Sequence, residues 1–242
     1  MYDRYNRHIH YLRISVTDRC NLRCSYCMPA DGIRLVPHEE ILSFDEIVDV
    51  VKVAVSLGVN KIRLTGGEPL VRAGIVDLVR KLSSIEGIPD LSLTTNGILL
   101  AKYAAALKQA GLKRVNISLD TIDSNRYKEI TRGGNIDDVF RGIAAAREAG
   151  LEPIKINCVR FSSSGDEESR GVKDYCEKEG LQVRFIHQMN LETGEFSEVE
   201  GGEGGVCHKC NRLRMTSTGM IKPVFSTSRN FRFADQVPGR LC

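Results

Sequence analysis

Tyr11-Leu12-Arg13-Ile14-Ser15-Val16-Thr17-Asp18-Arg19-Cys20-Asn21-Leu22-Arg23-Cys24-Ser25-Tyr26-Cys27 carries the two patterns from which the rest of the 242-residue chain is read. The first is alternation. Leu12, Ile14 and Val16 fall on one face of a strand, Arg13 and Ser15 on the other. The same pattern returns in five more strand-length runs. Ile62 and Leu64, Leu91 and Leu93, Val115 and Ile117, Ile154 and Ile156, and Val183 and Phe185 form the apolar face. Opposite them stand Lys61, Arg63 and Thr65; Ser92 and Thr94; Asn116 and Ser118; Lys155 and Asn157; and Arg184. A doubly wound sheet is apolar on both faces. One polar face in all six strands instead predicts a sheet curled around a wet, ligand-filled lumen, with helices only outside.

Helical periods separate the strands. Ser43 and Glu46 form a capping-box pair for a helix to about Leu57, stopped by Gly58. Further helices are predicted over 75–83, 99–110, 137–149 and 167–179. Strands are predicted over 11–16, 61–65, 91–95, 114–118, 154–159 and 183–186. Strand–helix repeats with short connections imply a parallel sheet with right-handed crossovers. The fold class is therefore α/β, a partial (β/α)6 TIM-like barrel over residues 1–190. After Met189 the character changes. Residues 190–206 hold Gly194, Gly201, Gly202, Gly204 and Gly205 with five Glu and no apolar period. Residues 191–242 read as a Gly-rich loop and a short irregular C-terminal extension that contains cysteines.

The second pattern is Cys20-x3-Cys24-x2-Cys27, on a loop just after the first strand. Three thiolates hold three irons of a 4Fe–4S cluster and leave the fourth open to a chelating ligand. A closed structural zinc site takes four ligands, and this loop offers three. Downstream, Gly66-Gly67-Glu68-Pro69 follows a strand. Its glycines permit close backbone approach, and Glu68 is able to accept from an ammonium. Arg13, Arg63, Lys155 and Arg184 project from the polar face, with no acidic residue read on the same strand faces. Four buried charges without partners are costly, so the implied occupant is anionic, and phosphate suits arginine forks. Those four are the candidate catalytic residues.

The Cys triplet with an aromatic before its last Cys resembles the signature of the radical S-adenosylmethionine (SAM) superfamily. Arg13–Cys20, Lys61–Pro69, Thr94-Thr95-Asn96-Gly97 and Asn116-Ile117-Ser118-Leu119-Asp120 are similar to the GTP 3′,8-cyclase family of molybdenum-cofactor biosynthesis. The resemblance runs from about Tyr11 to Met189 and resumes at Cys207–Phe225. It implies a partial (β/α)6 barrel, a 4Fe–4S cluster on Cys20, Cys24 and Cys27, and SAM held by Tyr26, Gly66, Gly67, Glu68, Ser118 and Met189. It further implies GTP on Arg13, Arg63, Thr94 and Lys155, with Arg212 and Arg214 on the triphosphate. Cys207-x2-Cys210 resembles the family's second cluster site. Its third Cys is expected at position 224, which is Val here, and Cys242 is the nearest later candidate. Where the family has Glu after Arg-Phe-Ile, this chain has His187. Two other readings stay open: a radical SAM enzyme with an auxiliary cluster acting on a peptide or another nucleotide, and a non-catalytic Fe–S or zinc binding protein.

Bulk properties narrow the partners. The chain has 34 Lys plus Arg against 31 Asp plus Glu, a net charge of +3, spread along its length. Nothing there argues for nucleic acid. Met1–His10 lacks an apolar h-region, so no signal peptide is read, and no run of 18 apolar residues exists. Eight Cys grouped as three, two and three scattered suggest metal and a reducing cytoplasm rather than disulfides. Cys158 and Cys176 read as structural. An external electron donor is required, and a homodimer is compatible with the reading.

Overall fold

The structure is a computed structural model that describes residues 1–161, 165–188, 197–202, 206–222 and 231–232. Six strands alternate with helices: β1 Tyr11–Ser15, α1 Phe44–Ser56, β2 Lys61–Thr65, α2 Ile75–Ser83, β3 Asp90–Thr95, α3 Leu100–Gln109, β4 Arg114–Ser118, α4 Ser124–Thr131, α5 Ile136–Glu148, β5 Lys155–Arg160, α6 Gly165–Glu179 and β6 Gln182–His187. Three further strands follow, β7 Arg212–Met215, β8 Met220–Lys222 and β9 Phe231–Arg232. All belong to one sheet in the order β6-β5-β4-β3-β2-β1-β7-β8-β9. Pairing is parallel from β6 through β7 and antiparallel from β7 to β9.

Alternation sorts the side chains as the sequence leads one to expect. Leu12, Ile14, Ile62, Leu64, Leu91, Leu93, Val115, Ile117 and Ile156 are all at most 2% exposed and form one core with the helices. The opposite face carries the polar row. The sheet is curled around that row. In a flat sheet β2 and β6 stand four strands apart, roughly 19 Å, yet the Arg184 charge acts on Arg63 and the Arg63 and Lys61 charges act on Lys155.

Sequence and structure differ in three places. α4 was not expected. β3 begins at Asp90, which puts an acidic residue on the polar face. The tail, expected to be irregular, supplies β7, β8 and β9, and β7 pairs in parallel with β1 in the register Tyr11↔Arg212 to Ile14↔Met215. Residues 190–196 and 203–205 of the Gly-rich stretch lie outside the described residues, as do Met189, Val224 and Cys242. Within the described part, Glu200 bridges back to Phe185 of β6. Among the described residues no helix is long and apolar enough to cross a membrane.

Candidate active site

The loop after β1 is fastened on three sides. On the first, Gly67 N donates to Thr17 O and Glu68 N to Arg19 O, each 2.8 Å. The approach is so close that a Cβ on Gly66 would lie 2.8 Å from Thr17 O, and one on Gly67 only 2.3 Å from Arg19 O. On the second side, Asn96 Nδ2 donates to Asn21 Oδ1 at 2.8 Å. On the third, the Tyr26 hydroxyl donates to Asp120 Oδ2 at 2.8 Å, and Val159 N donates to Asp120 Oδ1 at 2.8 Å. Asp120 is buried, which pushes its carboxyl up to about 6. The Tyr26 phenol is raised as well, by burial first and by the Asp120 charge second.

Cys20 and Cys24 are half-buried, Cys27 is exposed, and none of the three is in a disulfide. Burial raises all three thiols, Cys24 to about 12. Among the described residues no three Cys, His, Asp or Glu side chains converge as they would around a single ion. A cubane takes each thiolate on a different iron, so the triplet on one anchored loop is a donor set that suits it.

Glu68 has another task than the sequence suggested. It is 1% exposed, and its carboxylate accepts from Leu70 N (3.0 Å), Thr95 Oγ1 (2.8 Å) and Asn96 N (2.7 Å). Burial raises its pKa against these three donors. Three donors in a buried setting tie the Gly-Gly turn to Thr95-Asn96 and occupy most of the carboxylate's acceptor positions. Ser118 ends β4 in register with Asn157, and Asn157 with Arg184.

The lumen gathers the cations. Arg13 is in register with Arg63 on β2 and with Arg214 on β7. Arg63 is 7% exposed, and its Nε donates to Ser92 Oγ at 3.3 Å. Burial, and then the charges of Arg13, Arg114 and Arg184, pull Arg63 down to about 10 against the opposing effect of Tyr11. Burial with Arg13 and Arg212 brings Arg214 to about 10. Lys155 is lowered by burial first, then by Arg184, Arg114, Lys61 and Arg63. The Tyr11 ring lies between Lys61, Arg63 and Arg212, with each cationic head 5.2–5.5 Å from its centroid. One acid does stand on this face. Asp90 takes Arg114 at 2.8 Å and Lys61 at 3.3 Å, and these two outweigh burial to hold its carboxyl below the usual range. Among the described residues Arg13, Arg63 and Lys155 have no carboxylate within ion-pair distance. The buried Thr94 Oγ1 and Asn116 Nδ2, which neighbour each other across β3 and β4, have no hydrogen-bond partner among the described residues.

The parallel pairing of β1 and β7 sets the two cysteine groups at opposite ends of the lumen. Cys20, Cys24 and Cys27 follow the carboxyl end of β1. Cys207 and Cys210 precede the amino end of β7, where Asn211 O accepts from His10 N and Tyr11 N, each 3.2 Å. The strands between span roughly 13–17 Å. Past β6, His187 Nε2 is 3.4 Å from Glu200 Oε1, and Arg160 also pairs with Glu200. The sequence reading missed Arg114, Asp90, Tyr11 and Asp120. Extending the alternation of β3 and β4 by one step would have found the first two.

Comparison with known proteins follows the same lines. The family model of the radical SAM superfamily matches residues 14–172. A GTP 3′,8-cyclase of Alkaliphilus oremlandii is 41% identical over 98% of this chain and 87% of its own length. One from Moorella thermoacetica is 44% identical over 92% of this chain and 83% of its own. Among solved structures, Streptococcus suis SuiB bound to S-adenosylmethionine superposes with a TM-score of 0.65 at 17% identity, covering 94% of this chain and 62% of that one. Methylornithine synthase gives 0.63 at 17% identity, covering 85% and 64%. At that identity the two structures speak for the fold alone.

Proposed function

We propose that this chain, which belongs to the radical SAM superfamily and within it to the family of the GTP 3′,8-cyclases, closes C3′ of GTP onto purine C8. It is a radical SAM enzyme. When bound, the cluster and SAM supply an electron and a 5′-deoxyadenosyl radical, chemistry beyond any side chain. Cys20, Cys24 and Cys27 would hold the cluster. The Gly66-Gly67 turn, Ser118, and the backbone of Tyr26 and Met189 would hold SAM beside it. Arg13, Arg63, Lys155 and Arg184 bind the triphosphate from the lumen wall, Thr94 offers its hydroxyl, and Arg212 and Arg214 close on it from β7. At the far end Cys207 and Cys210, with Cys242 as third ligand, would hold an auxiliary cluster that would supply an open iron to the purine. An external one-electron donor and a reducing cytoplasm complete the reading.

The observation that carries this reading is the set of lumen cations, Arg63 buried and Arg13 and Lys155 half-buried, crowded together without carboxylates among the described residues. Such a set disfavours itself unless an anion joins it. Calorimetry of GTP binding tests it. Removing one charged hydrogen-bond partner is expected to cost about 1.5–3 kcal/mol in Arg63→Ala and in Lys155→Ala. Unchanged affinity in both would reject a triphosphate in the lumen.

A further inference from the structure

The C-terminal turn of α4 meets the loop that carries Cys20, Cys24 and Cys27. Ser25 N donates to Ile130 O (2.9 Å) and Arg23 N to Thr131 O (3.2 Å), so the last carbonyls of the helix are spent on the loop. Leu22 packs beneath the same turn, where a Cβ on Gly134 would come within 3.1 Å of Leu22 Cδ2. The residue that ends the helix is Arg132, at φ 55° and ψ 52°. That left-handed conformation is disfavoured for a side chain with a Cβ, and glycine is the usual occupant of such a position. Here the backbone turn brings the guanidinium back over the loop. Arg132 Nη1 donates to Arg23 O and to Met28 O, each at 2.9 Å. Those carbonyls flank Cys24 and Cys27, and between them Cys27 N and Met28 N both donate to Cys24 O.

We infer that Arg132 is a positioning residue for the cluster loop: its guanidinium ties the two ends of the Arg23–Met28 segment together and so presents the thiols before any cluster arrives. A strained conformation kept by a residue whose side chain makes a specific bridge points to the side chain as the reason for keeping it. The inference rests on the reading of Cys20, Cys24 and Cys27 as cluster ligands.

Arg132→Gly separates backbone from side chain. Glycine takes the left-handed conformation without a Cβ penalty. If the residue only ended α4, the variant would melt no lower than wild type and the loop would be unaffected. We expect the melting temperature to hold or rise, while the amides of Arg23, Ser25, Cys27 and Met28 in the cluster-free protein exchange roughly tenfold faster. After anaerobic reconstitution, iron should leave to a chelator several-fold faster than from wild type. Arg132→Asn tolerates the same backbone and is too short to bridge the carbonyls, so it should behave alike. Exchange and iron release at wild-type rates in both variants would overturn the proposal. Wild-type protein that takes up no iron would instead strike the reading of the cysteines as ligands, and the exchange rates would still decide whether Arg132 ties the loop.

Discussion

Arg63 shows how one residue can serve the site at the expense of the fold. Its pKa in the folded chain is pulled well below the ordinary guanidinium range, to about 10, first by burial and then by the neighbouring guanidinium charges. A cation with a depressed folded pKa weighs against the fold wherever it is protonated, and that weight lifts only as pH rises past about 10. At neutral pH the charge therefore costs ligand-free protein on the order of 3 kcal/mol. Arg63→Met should raise the melting temperature of the ligand-free protein, by about 2–4 °C per kcal/mol recovered, and should reduce the stabilisation that GTP gives wild type. A lower melting temperature in that variant would show that Arg63 is held by attraction, not tolerated for its ligand. Gly67 makes the opposite case, in which the fold demands the residue. A Cβ there meets backbone, Arg19 O at 2.3 Å and Asp18 O at 2.8 Å, which cannot swing aside like a side chain. Gly67→Ala should cost about 1–3 kcal/mol and displace the chain just before Cys20. Thermal melting and iron content after reconstitution are expected to fall together.

At the scale of elements, the strands were legible because each alternates over four or more residues and the sheet has one wet face. Helix α1 was legible from its cap. Ser43 Oγ accepts from Glu46 N while Glu46 returns to Ser43 N, the reciprocal box that the spacing implied. Ser43→Ala should lower stability by about 1 kcal/mol in denaturant melts while leaving GTP affinity untouched. A loss of affinity would mean that α1 does more than pack. Helix α4 escaped notice because it is short and polar, and buries only Tyr127, Ile130 and Thr131. Its hydrophobic period barely exceeds one repeat. Strands β7 and β8 were missed for a different reason. Four and three residues are too few for a pattern, and β7 exists because β1 offers it a parallel edge. In the site, the Cys triplet and the lumen cations were visible as residue types at fixed spacing. The Tyr26–Asp120 and Arg132 tethers were not, since they join positions about a hundred residues apart whose partners only the fold supplies.

The described residues form a curled sheet with a cysteine group beyond each end of its strands and a cationic wall between them. That plan follows from two parallel strands, β1 and β7, whose flanking loops leave in opposite directions. The chain is a radical SAM enzyme by family, and the near end is where we place its cluster and SAM. The auxiliary end makes its own prediction. Reconstituted wild type should carry about eight irons, and Cys207→Ala and Cys242→Ala about four each; wild-type iron in Cys242→Ala would remove that residue as a ligand. The central claim is that the lumen holds GTP with its ribose facing the Cys20–Cys27 end. The most direct measurement is isotope transfer: the anaerobically reconstituted protein is given SAM, a reductant and GTP deuterated at C3′, and the 5′-deoxyadenosine is weighed by mass spectrometry. The expected result is 5′-deoxyadenosine that carries one deuterium, together with a product isomeric with GTP. 5′-Deoxyadenosine without deuterium, formed at the same rate whether or not GTP is present, would contradict it.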